Sequence, residues 1–188
     1  LGVSIAAFET RLTIQTGVQQ NALDPWVARV LHKHCDALQI KQSLDLQLEA
    51  AIPRHSGLGS GTQMALAIGA AVNQLLGLPV SPATIAAQHQ RGTRSGIGIA
   101  TFAAGGMVLD GGRGPHTEVP PLLARYDFPT QWCFLLIMDH SRDGLHGSGE
   151  VSAFQQLPPQ TLANTQQIQH QLLMQGLPAL VEQDFEHF

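Results

Sequence analysis

Residues Pro53–Val72 read PRHSGLGSGTQMALAIGAAV, and the reading of this stretch decides the fold. Leu44, Leu46, Leu48 and Ala50 alternate with Asp45, Gln47 and Glu49 just before it, the pattern of a strand with one wet face between Ser43 and Ile52. From Gly61 to Leu76 alanine and leucine follow with almost no charge, as in a helix buried on most sides, and Gly77 ends it. Between strand and helix stand Gly57, Gly59 and Gly61. Glycine lets the backbone turn left-handed and lets a ligand approach closely. The first turn of a helix also presents unpaired amide hydrogens and a positive dipole end. Anionic phosphate suits such a turn, although on physics alone a tight connection is an equal reading. The spacing is neither a Walker A loop, which ends in glycine, lysine and serine or threonine, nor the G-x-G-x-x-G of a Rossmann turn.

Working outward, residues 3–15 predict one or two short strands, with Thr10 and Arg11 between the runs. Asp24-Pro25 offers an N-cap followed by proline at the first helical position, and Trp26, Val27, Val30, Leu31, Cys35 and Leu38 follow at helical spacing. Ser81-Pro82 starts another helix by the same logic, running to about Gln90. A second glycine-bearing stretch, RGTRSGIGIATFAAGG (Arg91–Gly106), leads to a strand at Met107–Asp110 and a turn at Gly111-Gly112. Residues 115–129 read as an irregular connection, Trp132–Met138 as an apolar strand in a sheet interior, 139–149 as a glycine-rich surface lid, and Thr161 onward as helix. A first domain over 1–158 and the beginning of a second over 159–188 are expected. The chain begins at Leu1 rather than methionine and closes in a helical pattern at Phe188, so truncation at both ends is expected.

Among 188 residues, 44% are hydrophobic and 13% charged, which suits a folded globular chain rather than a disordered one. A formal charge of −4 with no long run of basic residues gives nucleic acid nothing to grip. No apolar run is long enough to span a bilayer and no signal-peptide order opens the chain, so a cytoplasmic protein without a membrane partner is expected. Cys35 and Cys133 make neither a disulfide framework nor a metal site, and buried free thiols are expected. His32 and His34, two apart on a helix, are expected in solvent. Asp139, His140, Asp143 and His146 are metal-compatible but have no recognised ligand spacing.

Here the chain resembles the GHMP kinases, whose nucleotide loop reads P-x-x-x-G-L-G-S-S: Pro53, Gly57, Leu58, Gly59 and Ser60 match position by position. A second family block, H-G-x-x-S-G-x-D, is echoed by RGTRSGIG, with Gly92, Ser95, Gly96 and Ile97 in register. The resemblance implies an α+β, GHMP-type amino-terminal domain: a mostly antiparallel sheet covered by helices. Two departures are informative. The second serine of the kinase loop, a metal-side contact in the kinases, is Gly61 here, and the aspartate that serves kinases as base is Gly98. A hydroxyl nucleophile lacks its base.

One branch of the superfamily is similar in detail, through HSGLGSGTQ (His55–Gln63), RSGIGI (Arg94–Ile99) and GGMVLDGG (Gly105–Gly112): the β-ribofuranosylaminobenzene 5'-phosphate synthases. What this resemblance implies is condensation of phosphoribosyl pyrophosphate with 4-aminobenzoate, releasing CO2 and pyrophosphate, on the way to tetrahydromethanopterin. Magnesium is the implied helper, and the oligomeric state stays open, a homodimer included. Phosphate would then lie on Ser56, Gly57, Gly59, Ser60, Gly61, Thr62 and Gln63, with Arg91, Ser95 and Gly96 also binding substrate. Arg91 and Arg94 would clamp the second phosphate or the benzoate carboxylate, for which a forked guanidinium is suited. Asp110 would hold magnesium or stabilise the sugar cation, a turn-capping role being its alternative, and His55 would donate to phosphate or shuttle a proton. An ATP-dependent kinase with a displaced base, and a non-catalytic phosphate-ligand module, are the rival readings.

Overall fold

The computed structural model describes residues 1–138 and 147–188. Asp139, His140, Asp143, His146 and most of the expected lid therefore lie outside the described residues. The chain forms two compact units, Leu1–Arg125 and Tyr126–Phe188, where the sequence pattern suggested a boundary between residues 158 and 159.

The first unit runs β1 (Gly2–Val3), β2 (Arg11–Thr16), α1 (Pro25–Ala37), β3 (Leu44–Ala50), α2 (Ser60–Leu75), α3 (Pro82–Gln88), α4 (Ile97–Ala104), β4 (Met107–Asp110) and β5 (Leu122–Tyr126). Its strands make two small sheets, β1-β4-β5 and β2-β3, with β1 antiparallel to β4 and β2 antiparallel to β3. The α+β class stands. The expected single sheet is divided.

Helix α1 starts where the sequence says, with the Asp24 carboxylate accepting from the amides of Trp26 at 2.8 Å and Val27 at 3.4 Å. Its spacing then puts Val27, Val30, Leu31 and His34 on one buried face. That face packs with Leu44 and Leu46 of β3 and with Met64, Ala65, Ile68 and Val72 of α2. The other side of α2 sends Leu66 into a second cluster with Ile85, Ala86 and Ile99. Because α2 lies between two apolar clusters, it has no polar stripe, and this explains its alanine and leucine composition. At Gly69 the helices come close: a Cβ there would sit 2.3 Å from Ile85 Cγ2.

His34 contradicts the solvent-exposed expectation. It is wholly buried, while His32 is exposed. The Asn73 amide nitrogen donates to Pro79 O at 2.8 Å, so Asn73 Oδ1 is left to accept from His34 Nε2 at 2.9 Å. His34 Nδ1 then accepts from His89 Nε2 at 3.2 Å, the two rings being stacked 9° from parallel. These tautomers are assigned from the network. Burial, with the charges of His34, Lys33 and Arg91 nearby, lowers the His89 pKa to about 4. The unfolded chain binds this proton near pH 6.5, so between there and pH 4 it holds more protons than the native state, and stability falls as pH falls through that window. Denaturant titrations at pH 7 and pH 4 should differ by about 1–3 kcal/mol from this residue. His89→Gln, which can still donate to His34, should flatten that part of the profile.

Four expectations are corrected. Residues within Arg91–Gly106 form α4, which has apolar residues on all sides and so shows no helical stripe to read. Residues 115–129 contain β5 rather than irregular chain alone. Trp132–Met138 is not a strand: apolar composition favours burial, but a strand needs a neighbour to take its backbone hydrogen bonds, and among the described residues none pairs with it. Cys133 is exposed and Cys35 half-buried. In the second unit Trp132 and Phe134 instead join an aromatic cluster with Phe128, Phe185 and Phe188. Helices α5 (Gly147–Gln156), α6 (Leu162–Gln171) and α7 (Leu177–Glu182) complete it, with a π-helical turn at Leu172–Gly176. Thr161 caps α6.

Candidate phosphate-binding cleft

The strand-to-helix connection is closed on itself by Ser56 Oγ, which donates to Pro53 O at 2.7 Å. His55, Gly57 and Gly59 all have positive φ, at 58°, 77° and 71°. Gly59 is the N-cap of α2 and has a left-handed backbone, which a side chain disfavours. Its carbonyl accepts from the amides of both Thr62 and Gln63 at 3.0 Å. Those two amides are therefore committed to the helix. The Ser60 and Gly61 amides, which have no helical carbonyl upstream, remain as the donors of the turn.

The loop faces a cleft of about 790 Å³ within the first unit. Gly57, Gly59 and Thr62 line one side, and Arg91, Arg94 and Ser95 line another. Gln63 Nε2 donates to Gly98 O at 2.8 Å, joining the first turn of α2 to the first turn of α4. The two turns touch at Gly98, where a Cβ would stand 3.1 Å from Thr62 Cγ2. Arg91 is held at its backbone by Ala86 O at 2.7 Å, and its half-buried side chain lies against Gly61. Its Nε is buried without a hydrogen-bond partner. Arg94 is exposed at the margin. The cleft is thus lined by cations and by a helix start, the arrangement an anion needs.

Of the expected site residues, Gly57, Gly59, Thr62, Gln63, Arg91, Arg94 and Ser95 are brought together around this cleft. His55, Ser56, Ser60, Gly61, Gly96 and Asp110 do not line it. Asp110 Oδ2 accepts from Ser95 Oγ at 2.9 Å and from the Gly96 amide at 2.8 Å, so the carboxylate caps the start of α4. It borders a separate pocket of about 290 Å³ with Pro82, Ala100 and Val119. Sequence reasoning missed Ile5, Phe8 and Gln90, which also line the main cleft. Only long-range contact places them there, and no local motif marks them.

Among the described cleft residues the donor set does not fit a magnesium ion held by protein side chains. Glu9 is the sole carboxylate among the described cleft residues, and it is paired with Arg11. Among the described residues no group of three or more histidines, cysteines or acids could hold a metal. Magnesium sites use one or two free carboxylates besides substrate oxygens. Among the described residues no helix is long and apolar enough to cross a membrane.

The order strand, left-handed glycine loop, central apolar helix and arginine-bearing second turn has a counterpart among known families: residues 25–106 match the model of the GHMP kinases N terminal domain. Over residues 25–106, then, the chain carries a GHMP kinase amino-terminal domain. Among curated proteins it is similar to three called beta-ribofuranosylphenol 5'-phosphate synthase. It is 34% identical to that of Methanothermobacter thermautotrophicus over 153 residues, covering 75% of this chain and 46% of the relative. The Archaeoglobus fulgidus protein is 37% identical over 156 residues, with 77% and 49% covered. The Methanocaldococcus jannaschii protein is 33% identical over 163 residues, with 78% and 49% covered. The chain spans about half the length of the curated relatives it matches.

Proposed function

We propose that the protein is a cytoplasmic pentosyltransferase that joins the ribosyl phosphate of phosphoribosyl pyrophosphate to a para-substituted benzoate, with loss of CO2 and pyrophosphate, in tetrahydromethanopterin biosynthesis. The observation that carries the reading is the turn of α2 opened by left-handed Gly59 across a cleft from Arg91 and Arg94. The relatives' names specify a ribofuranosylphenol product, which fits 4-hydroxybenzoate as acceptor beside 4-aminobenzoate.

In this reaction the ring carbon bearing the carboxylate forms a bond to the anomeric carbon as the bond to pyrophosphate breaks. The carboxylate then departs as CO2, and its bonding pair restores the aromatic ring, so no net proton is gained or lost. Charge is the main problem. Pyrophosphate gains negative charge as it leaves, and preorganised donors aimed at it supply the largest stabilisation. Arg91 and Arg94, which line the cleft, are those donors, with the amides of the adjoining glycine turn.

Gly98 stands where the kinases have the aspartate that serves a hydroxyl acceptor as base, which speaks against a kinase. Calorimetric titration of the intact protein tests the reading. Phosphoribosyl pyrophosphate should bind without ATP, and pyrophosphate should be released when either benzoate is added. Turnover of ATP would favour the kinase instead, and binding of neither compound would favour a non-catalytic module.

A further inference from the structure

We propose that Gly61 is a positioning residue: its missing side chain lets the Arg91 guanidinium lie across the first turn of α2, where it completes the site for the substrate's pyrophosphate group. The inference rests on the reading above and names the group that recognises the leaving anion.

A Cβ at Gly61 would stand 3.3 Å from both terminal nitrogens of Arg91 and 3.4 Å from Cζ. That contact is tighter than side chains ordinarily make, so any residue larger than glycine obliges the guanidinium to shift by a few tenths of an ångström or more. Glycine is not there for its backbone, because Gly61 lies inside α2 and is absent from the residues with positive φ. Its place in the first turn therefore calls for a packing reason. The guanidinium supplies that reason.

Arg91 itself has an unmet need. Its Nε is buried and donates to nothing, although buried donors are almost always paired. The same side chain borders the cleft and touches the turn whose Ser60 and Gly61 amides lack helical acceptors. The Arg91 guanidinium, which lines the cleft, therefore lies directly beside the helix-start amides. A polyanion with several oxygens, such as pyrophosphate, satisfies both sets, and a planar fork matches its geometry better than a point charge does. This pairing brings a positive charge to the loop without calling on protein carboxylates to hold a metal.

The test is calorimetric titration of inorganic pyrophosphate, with EDTA present, into the intact protein and its variants. The wild type should bind. Gly61→Ala, Gly61→Ser and Arg91→Ala should each weaken binding by at least about ten-fold. The variant carrying both Gly61→Ser and Arg91→Ala should bind about as weakly as Arg91→Ala alone, since both remove one interaction. Arg91→Lys, which keeps the charge but loses the fork, should fall between. Unfolding midpoints without ligand should stay near that of the wild type, because alanine and serine suit the helical backbone and only a flexible arginine end must move. Wild-type affinity in Gly61→Ser, or additive losses in the double variant, would overturn the positioning role while leaving the proposed function standing. Failure of the wild type to bind pyrophosphate would overturn both.

Discussion

Changing Gly59 to valine is expected to abolish pyrophosphate binding, lowering affinity by at least about 100-fold. At φ 71° the residue is left-handed, and a β-branched side chain there costs about 1–2 kcal/mol or more before any packing is considered. The backbone would relax toward negative φ, swinging away the carbonyl that holds the Thr62 and Gln63 amides. The first turn of α2 would lose its shape, and with it the orientation of the Ser60 and Gly61 amides. No atom lies within 4 Å of a Cβ built at Gly59, so the loss would come from strain and from filling the ligand's space rather than from a clash inside the fold. Gly59→Asn separates these causes. Asparagine tolerates positive φ, so its unfolding midpoint should stay near that of the wild type while binding still suffers. The measurement is the rise in midpoint on adding pyrophosphate. If it were the same in Gly59→Val as in the wild type, the loop assignment would be wrong.

Restoring the kinase aspartate by Gly98→Asp should damage the site without creating a kinase. A Cβ at this position would lie 3.1 Å from Thr62 Cγ2 and 3.4 Å from Thr62 Cβ, so the Thr62 side chain must give way by a few tenths of an ångström. The new carboxylate would also enter a cleft built for an anion. Two like charges about 4 Å apart repel by about 1–4 kcal/mol at the dielectrics of water and protein surface. Pyrophosphate affinity should fall at least ten-fold by that term, roughly. ATP turnover should stay at background in Gly98→Asp and in Gly98→Asp combined with Gly61→Ser, because base, metal contact and acceptor must be placed together to work. A kinetic assay of both variants with ATP and sugar-alcohol or amine acceptors checks this. Transfer well above background in either one would return the protein to the kinase reading.

How much was legible depended on how local the cause was. The starts of α1 and α3 could be read because Asp24-Pro25 and Ser81-Pro82 act within one turn, and both caps form. β3 could be read because a strand with one wet face alternates with a period of two. Helix α4 could not, since its own residues are nearly all apolar and so carry no 3.6-residue stripe. Trp132–Met138 was misread for the opposite reason: its composition suits a sheet interior, but pairing depends on a partner that its own residues do not specify. His34 was misplaced because nothing within its helix announces that Asn73 and His89 wait to pair with it.

The site divides in the same way. By itself the sequence determined that a left-handed glycine turn opens an apolar helix after a strand, because backbone freedom and helix-start amides are properties of consecutive residues. It also determined that the kinase serine and aspartate are replaced by Gly61 and Gly98. Only the tertiary structure decided what those glycines do: one lies under the Arg91 guanidinium and the other under the Thr62 side chain, each contact linking residues about 30 or more apart in the chain. It likewise turned Asp110 into the cap of α4, away from the cleft, through hydrogen bonds to Ser95 and Gly96. Such roles come from the packing of α2 against α4 and the Arg91 segment, and packing is set by the whole core at once.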